Sequence, residues 1–296
     1  MSWRIVNITK ESKLSLKSNQ LLYKPADNSE EVTIPLEDIA IIMADNSEIS
    51  FSANLLQAIA DNGIALFITD KSHLPSGIFL PFHKHSRYTE IFNLQINWSE
   101  PFKKRIWQKI IEQKIYNQFS VIKKINKTEN IRLLKLSKSV LSGDSENNEA
   151  QAAKEYWQEL FANFKRGKED IKNKALNYGY AILRGAVARA VVSSGFMPSL
   201  GVFHSNNLNS FNLADDLIEP FRPFIDELVY TEFQDNEKPD LTPKDKQNLI
   251  SVLTKFCMFD GEKITILKAI ERSAETLQKA TKEKDTNFLI LPNLGF

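Results

Sequence analysis

Glu149, His204 and the acidic run Asp215-Asp216-Leu217-Ile218-Glu219 are the places where this 296-residue chain carries ionisable groups that a plain structural account does not exhaust. Asn147 or Asn148 can cap a helix running to about residue 164, with Ala150, Ala153, Trp157, Phe161 and Phe164 as its apolar face. On that helix Glu149 aligns with Ala152, Ala153 and Tyr156, so its carboxylate stands beside small side chains that leave room for a ligand. The competing account is an acid that complements the helix dipole. His204 follows Gly201-Val202-Phe203, after a helix over 175–194 rich in small residues and a turn over 195–201. A satisfied structural histidine is the common alternative there. In the acidic run, Asp215 and Glu219 share a helix face at i, i+4, and Asp216 and Glu219 are neighbours at i, i+3. Like charges at that spacing repel by roughly a few tenths of a kcal/mol. A bound cation would offset this cost, as would pairing with Arg222 or simple exposure.

His204 and Glu219 are 15 residues apart, which on one unbroken helix would separate them by roughly 22 Å. The intervening Ser205-Asn206-Asn207-Leu208-Asn209-Ser210 is poor helix material and permits a fold-back. With Glu149 on one helix, His204 on a loop and Glu219 on another helix, the result is an open O/N/O site suited to Mg²⁺ or Mn²⁺. Zinc usually asks for more nitrogen or sulfur. His83 and His85 form a rival metal pair without a nearby third ligand, in a segment that also carries Lys84, Arg87 and Tyr88 and reads as a DNA contact or an exposed linker. No Walker-type phosphate loop and no G-x-S-x-G elbow occurs, which argues against nucleotide hydrolysis and serine esterase chemistry.

The elements that must position these groups fall into two parts. Residues 1–83 read as β-rich, with runs at 4–9, 13–16, 21–24, 32–35, 39–43, 64–69 and 77–80 that imply a small sheet. One helix interrupts them over 53–60, capped by Ser52 and ended at Asp61-Asn62-Gly63. Residues 84–101 read as a connector closed by Pro101, and 102–296 as a larger all-helical domain in which Ile106, Ile110, Ile111, Ile115 and Phe119 recur at helical spacing. The fold class is α+β. Net charge is only +1, but its distribution is uneven: residues 1–83 hold six basic residues against ten acids, whereas 101–140 hold eleven Lys/Arg against Glu112 and Glu129. Such a basic segment suits a phosphate backbone, although a solvated helix face is the commoner meaning of a lysine run. The single cysteine, Cys257, excludes an intramolecular disulfide and a cysteine zinc cluster and reads as a buried small apolar residue. With no signal-like apolar N-terminus and no apolar run of 18 residues, the expected location is the cytoplasm.

Four motifs in order complete the pattern: Asn148-Glu149-Ala150-Gln151-Ala152-Ala153-Lys154-Glu155-Tyr156-Trp157, Leu176-Asn177-Tyr178-Gly179-Tyr180-Ala181-Ile182-Leu183-Arg184, Gly201-Val202-Phe203-His204, and Asp215-Asp216-Leu217-Ile218-Glu219-Pro220-Phe221-Arg222-Pro223. In order and spacing they resemble the CRISPR-associated adaptation integrase/endonuclease, the Cas-one family, and the wording of the last motif is most similar to members from type II systems. The resemblance implies that Glu149, His204 and Glu219 hold one Mg²⁺ or Mn²⁺, with Asp216 as a supporting acid. Some relatives have Asp where Glu219 stands, and the family's Glu-Gly pair is Glu149-Ala150 here.

The implied function is insertion of short DNA duplexes as new spacers into a CRISPR array, by 3′-hydroxyl attack on a repeat-edge phosphodiester. Water in place of the hydroxyl would give nuclease activity. A branched-DNA repair nuclease and a non-enzymatic DNA-binding scaffold are the alternatives. The implied partners are double-stranded DNA, a second copy joined through the β-domains, a small second adaptation subunit of the Cas-two family and the type II effector nuclease. Phosphate contacts are expected from Lys103, Lys104, Arg105, Lys165, Arg166 and Arg184.

Overall fold

The computed structural model describes residues 4–71, 73–81, 85–162, 164–233 and 239–295. The chain divides into two compact units, Met1–Tyr88 and Thr89–Phe296. The first is β-rich and the second mostly helical, in keeping with the α+β class.

In the first unit the strands are β1 (Arg4–Ile8), β2 (Ser12–Lys17), β3 (Gln20–Pro25), β4 (Val32–Pro35), β5 (Ile39–Ala44), β6 (Ile49–Phe51), β7 (Ala65–Thr69) and β8 (Pro75–Phe79), with helix α1 (Ala53–Asn62) before β7. They build two four-stranded sheets, ordered β1-β5-β7-β8 and β4-β3-β2-β6, where one small sheet was expected. β5, Ile-Ala-Ile-Ile-Met-Ala, pairs in parallel with β1 and β7 and is buried throughout, so its apolar run does not alternate. β6 escaped the sequence reading because it is three residues long, yet Ser12, Lys13 and Leu14 pair with it in parallel. Leu14, Leu21, Ile39, Ile42, Leu55, Ile59 and Leu66 share one core between the sheets and α1. The Ser52 side chain accepts from the Leu55 amide at the start of α1, and Gly63 ends it at φ 64°, the left-handed geometry that favours glycine.

The second unit contains α2 (Tyr88–Ile96), α3 (Glu100–Asn126), α4 (Ile131–Lys138), α5 (Asn148–Leu160), α6 (Ile171–Ser193), α7 (Asn212–Leu217), α8 (Arg222–Glu232), α9 (Pro243–Ile250), β9 (Phe256–Phe259), β10 (Glu262–Thr265) and α10 (Ile266–Glu283). The segment read as a connector therefore contains α2, and Pro101 sits in the first turn of α3, where its missing N–H costs nothing. The domain expected to be all helical also holds the β9–β10 hairpin, in which Cys257 is buried. Burial pushes its thiol up to about 12, which keeps it unreactive. Among the described residues no helix is long and apolar enough to cross a membrane.

α3 is the spine of this unit. Its stripe of Ile106, Trp107, Ile110, Ile111, Ile115, Phe119 and Ile122 is buried. Burying each such side chain contributes about 1.5–3 kcal/mol. α6 runs close to α8 because Gly179 has no side chain: a Cβ there would lie 2.7 Å from two Ile225 carbons. The apolar face assigned to α5 is corrected. Phe161 is buried as expected, but Ala150 is exposed, Ala153 and Trp157 are half-buried, the helix ends at Leu160 rather than near 164, and its buried stripe is Asn148, Ala152, Tyr156 and Leu160. Tyr156 can be interior because its hydroxyl donates to Asp226, so the polar tip is satisfied.

Candidate functional site: two carboxylates around one cation, and a braced histidine

Glu149 stands in the first turn of α5, whose end is capped neither by Asn147 nor by Asn148. Asn147 is left-handed at φ 55° and makes no capping hydrogen bond. The Asp144 carboxylate accepts from the Asn148 amide at 2.8 Å and the Glu149 amide at 3.1 Å instead. The buried Asn148 side chain donates to Leu136 O and Ser139 Oγ, fastening α5 to the end of α4. With the helix end satisfied by Asp144, the Glu149 side chain is released for another partner, and Oε1 meets Lys114 Nζ of α3 at 2.5 Å.

Glu219 begins the single 3₁₀ turn Glu219–Phe221 that separates α7 from α8. That turn is pinned to α3 by Asn117, whose amide donates to Pro220 O at 2.7 Å and to Pro292 O at 3.0 Å. Glu219 Oε2 lies 2.5 Å from the same Lys114 Nζ, and Oε1 accepts from Arg222 Nε at 2.8 Å. Burial opposes ionisation of Glu219, whose side chain is only 6% exposed, but the Lys114 and Arg222 charges outweigh it and hold the carboxyl down at about 2. The same attraction raises the Lys114 ammonium and the Arg222 guanidinium against the burial that would lower them.

The acidic run does not act as one cluster, because α7 ends before Glu219 and each acid finds a different partner. Asp215 forms a two-pronged pair with Arg184 at 2.6 and 2.8 Å and accepts from Asn209. Asp216, fully buried, points back into the loop before α7: Oδ2 accepts from the Val202 and Phe203 amides, and Oδ1 from the His204 amide at 3.0 Å. Oδ1 also contacts His204 Nδ1 at 2.8 Å. Gly201 is what permits this cradle, since a Cβ there would stand 2.4 Å from His204 O and 2.6 Å from Asp216 Oδ2.

His204 is braced by Asp216 on Nδ1, which leaves Nε2 as the nitrogen able to serve as a ligand. Its ring stands edge-on to Trp107 and Phe203, which stack on each other at 4.2 Å. The hydrogen bond to Asp216 raises the His204 pKa; burial opposes this, and the charges of Asp216, Glu219 and Asp215 add to it. An open cavity of about 460 Å³ adjoins it, lined among others by Lys103, Gln95, Trp98, Leu200 and Asn206. That is room for a nucleotide unit.

Glu149 and Glu219 are thus brought to one point and His204 to Asp216, with the Glu219 charge acting on His204 without a direct contact. Among the described residues, no three His, Cys, Asp or Glu side chains form a ready-made metal cluster. The donor chemistry nevertheless suits a hard divalent ion: two carboxylates converge on a position that already holds a positive charge. Residues that sequence reasoning missed are Lys114, Asn117 and Asp144. Lys114 and Asn117 lie on the buried side of α3 among its isoleucines, and in the sequence Lys114 is one of the basic run over 101–140. Of the expected phosphate contacts, Lys104, Arg105 and Lys165 are exposed and Lys103 pairs with Glu100. Arg105 also donates to Pro101 O. Arg184 is engaged with Asp215, and Arg166 with Asn173 and Asn177. Of the rival pair, His83 lies outside the described residues, as does the adjacent Lys84, and His85 Nδ1 accepts from the Arg87 amide.

The sequence comparisons agree on one family, and solved structures share the fold. Residues 5–256 match the family model of the CRISPR associated protein Cas1. The chain is 42% identical over 99% of its length to the CRISPR-associated endonuclease Cas1 of Neisseria meningitidis serogroup C (strain 8013), of which it covers 97%. Its fold is shared with a casposase bound to integration product, at TM-score 0.76 and 19% identity over 97% of this chain and 93% of that one. It is shared also with a chain of a Cas6-RT-Cas1–Cas2 complex, at TM-score 0.74 and 18% identity over 98% of this chain and 36% of that one. A family model spanning most of the sequence and a relative of 42% identity along nearly its whole length place this chain in the CRISPR-associated Cas1 family.

Proposed function

We propose that the chain is a metal-dependent DNA endonuclease and integrase that inserts short duplexes into a CRISPR array. The observation that carries this reading is the convergence of Glu149 and Glu219, from separate elements, on one cation position, with His204, braced through Nδ1, close enough to feel the Glu219 charge. The named relative is an endonuclease, and the casposase of like fold was captured with an integration product.

Glu149, His204 and Glu219 would hold the divalent cation, which when bound supplies Lewis-acid activation of a scissile phosphate and of the attacking hydroxyl. The protein's own contribution is positional. Asp216 fixes the orientation and tautomer of His204 and strengthens Nε2 as a donor. Arg222 keeps Glu219 ionised and oriented through Oε1, leaving Oε2 for a ligand. Lys103, at the rim of the cavity next to His204, offers a cation to the DNA backbone, with Lys104 and Arg105 on the same turn of α3. The acidic first unit, 1–83 in the sequence reading, is assigned to joining a second copy, and 102–296 to catalysis and DNA binding. The small Cas-two subunit is assigned as a partner because the fold recurs in a Cas1–Cas2 assembly.

The test is strand joining between a labelled duplex and a repeat-bearing plasmid with Mn²⁺. Glu149→Ala, His204→Ala and Glu219→Ala are each expected to abolish joined product while DNA binding persists. Full joining by the first two variants would refute the catalytic assignment. Cleavage of branched DNA by the unaltered protein, with no joined product under any condition, would make it a repair nuclease.

A further inference from the structure

Lys114 lies at the centre of α3 between the buried Ile111 and Ile115, with its side chain 11% exposed. An ammonium is rarely taken this far from water without close anionic partners. It has two, Glu149 Oε1 and Glu219 Oε2, each 2.5 Å from Nζ and each supplied by a different element. The carboxylates of α5 and of the Glu219 turn would otherwise face the same point with like charge.

The two contacts differ in quality. Lys114 donates a hydrogen bond to Glu149, whereas Glu219 Oε2 is buried and receives the ammonium as an ion contact without hydrogen-bond alignment. Oε2 is held by Lys114 alone among its charged neighbours, whereas Oε1 is held by Arg222. The Glu219 carboxylate has a second holder besides Lys114, and the backbone that carries Glu149 is fixed independently of it. Arg222 holds Glu219 through Oε1, Asn117 pins the turn that carries it, and Asp144 anchors the α5 end that carries Glu149. Withdrawal of Nζ would leave Glu219 held at an emptied cation position, with Glu149 on a fixed helix end beside it.

We propose that Lys114 is a built-in stand-in cation: its ammonium fills the position between Glu149 and Glu219 until a divalent metal ion binds there by displacing it. This rests on the metal reading of the site given above. The apparent affinity for metal is then the intrinsic affinity reduced by the small fraction of molecules in which Lys114 has moved out. Removing the ammonium lifts that reduction.

The experiment uses the full chain without DNA and Mn²⁺ alone as probe. Mn²⁺ binding is followed by the electron paramagnetic resonance of the free ion, in the unaltered protein, Lys114→Met and Glu149→Gln. In parallel, reductive methylation of the unaltered protein, read by peptide mass spectrometry, reports the accessibility of Lys114 relative to the exposed Lys165. Lys114→Met should bind Mn²⁺ at least about tenfold more tightly, consistent with a competent state that was a minor one. Methylation of Lys114 should rise several-fold when Mn²⁺ is added. The second readout needs no variant to fold, and a lysine that only neutralises two acids would not move in it. If Mn²⁺ binds the unaltered protein, Glu149→Gln weakens it, and Lys114 labelling stays flat, displacement is overturned and the metal reading stands. If Mn²⁺ binds neither the unaltered protein nor Lys114→Met, both fail.

Discussion

Glu219 and Asp226 lie seven residues apart in the sequence, both buried in the helical unit, and burial acts on them in the same direction. Yet Glu219 is held down at about 2, whereas Asp226 is pushed up to about 7. The difference is in their partners. Glu219 touches two cations, Lys114 and Arg222. Asp226 accepts from the hydroxyls of Tyr156 and Tyr180, neutral donors that offset only part of the desolvation, while Arg222 and Arg166 act on it without an ion pair. Arg222 lies over the Tyr180 ring at 4.6 Å, so the two carboxyl environments share a wall. Interior placement alone does not decide whether an acid is charged; the nearest formal charge does. A charged acid at a cation position suits ligand chemistry, and an acid near neutrality between phenols suits holding helices together.

The sharpest break of this comparison removes each carboxyl in turn. Glu219→Ala strips a buried ion network and leaves Arg222 uncompensated, for an expected loss of about 3–5 kcal/mol. Asp226→Ala orphans two buried hydroxyls at about 1–3 kcal/mol each, a loss of comparable size. Urea unfolding of both variants checks these losses, and a loss below about 1 kcal/mol in either would remove the partners assigned to that carboxyl. On the activity side, Asp216→Asn should lower Mn²⁺-supported joining by about 10–100-fold, because it loosens the brace on His204 without touching the metal position. A joining rate equal to that of the unaltered protein would remove Asp216 from the site.

Gly201→Ala should cost about 1–3 kcal/mol through overpacking against His204 O and Asp216 Oδ2. It should lower joining in step with Asp216→Asn, as measured by thermal unfolding and the same assay. A further contrast is the pH dependence of Asp226→Asn. The folded chain keeps the Asp226 proton up to about 7, whereas an unfolded chain loses it near the ordinary value of 3.8. Its contribution is therefore full below 3.8 and fades as pH rises toward 7. Glu219 runs the other way: its contribution is present above 4.5 and is lost as pH falls from there through about 2. Urea titrations from pH 4 to pH 7.5 should show the unaltered protein losing stability relative to Asp226→Asn across the upper window. A constant difference would place the Asp226 pKa near its ordinary value.

Much of this molecule is legible in one dimension because periodicity and capping are local. The β-rich beginning, the Ser52 cap, the Gly63 end of α1 and the apolar stripe of α3 all follow from neighbours along the chain. The residue types at 149, 204, 216 and 219, in their ordered motifs, were enough to point to the family that the comparisons establish. What could not be read locally is which group faces which. The stripe of α5 was misplaced because the burial of Tyr156 depends on Asp226, 70 residues away. The three acids of the 215–219 run looked like one cluster, but a change from α-helix to 3₁₀ geometry sends them to Arg184, the 201–204 loop and Lys114.

Lys114 itself is one of eleven basic residues in its segment, and nothing beside it in the sequence sets it apart. The sequence alone determined the kinds of donor and the elements that bear them, since helix period, caps and turns are short-range. Only the tertiary structure decided that a lysine from α3 stands between the two glutamates, because Coulomb attraction acts through space and is blind to separation along the chain.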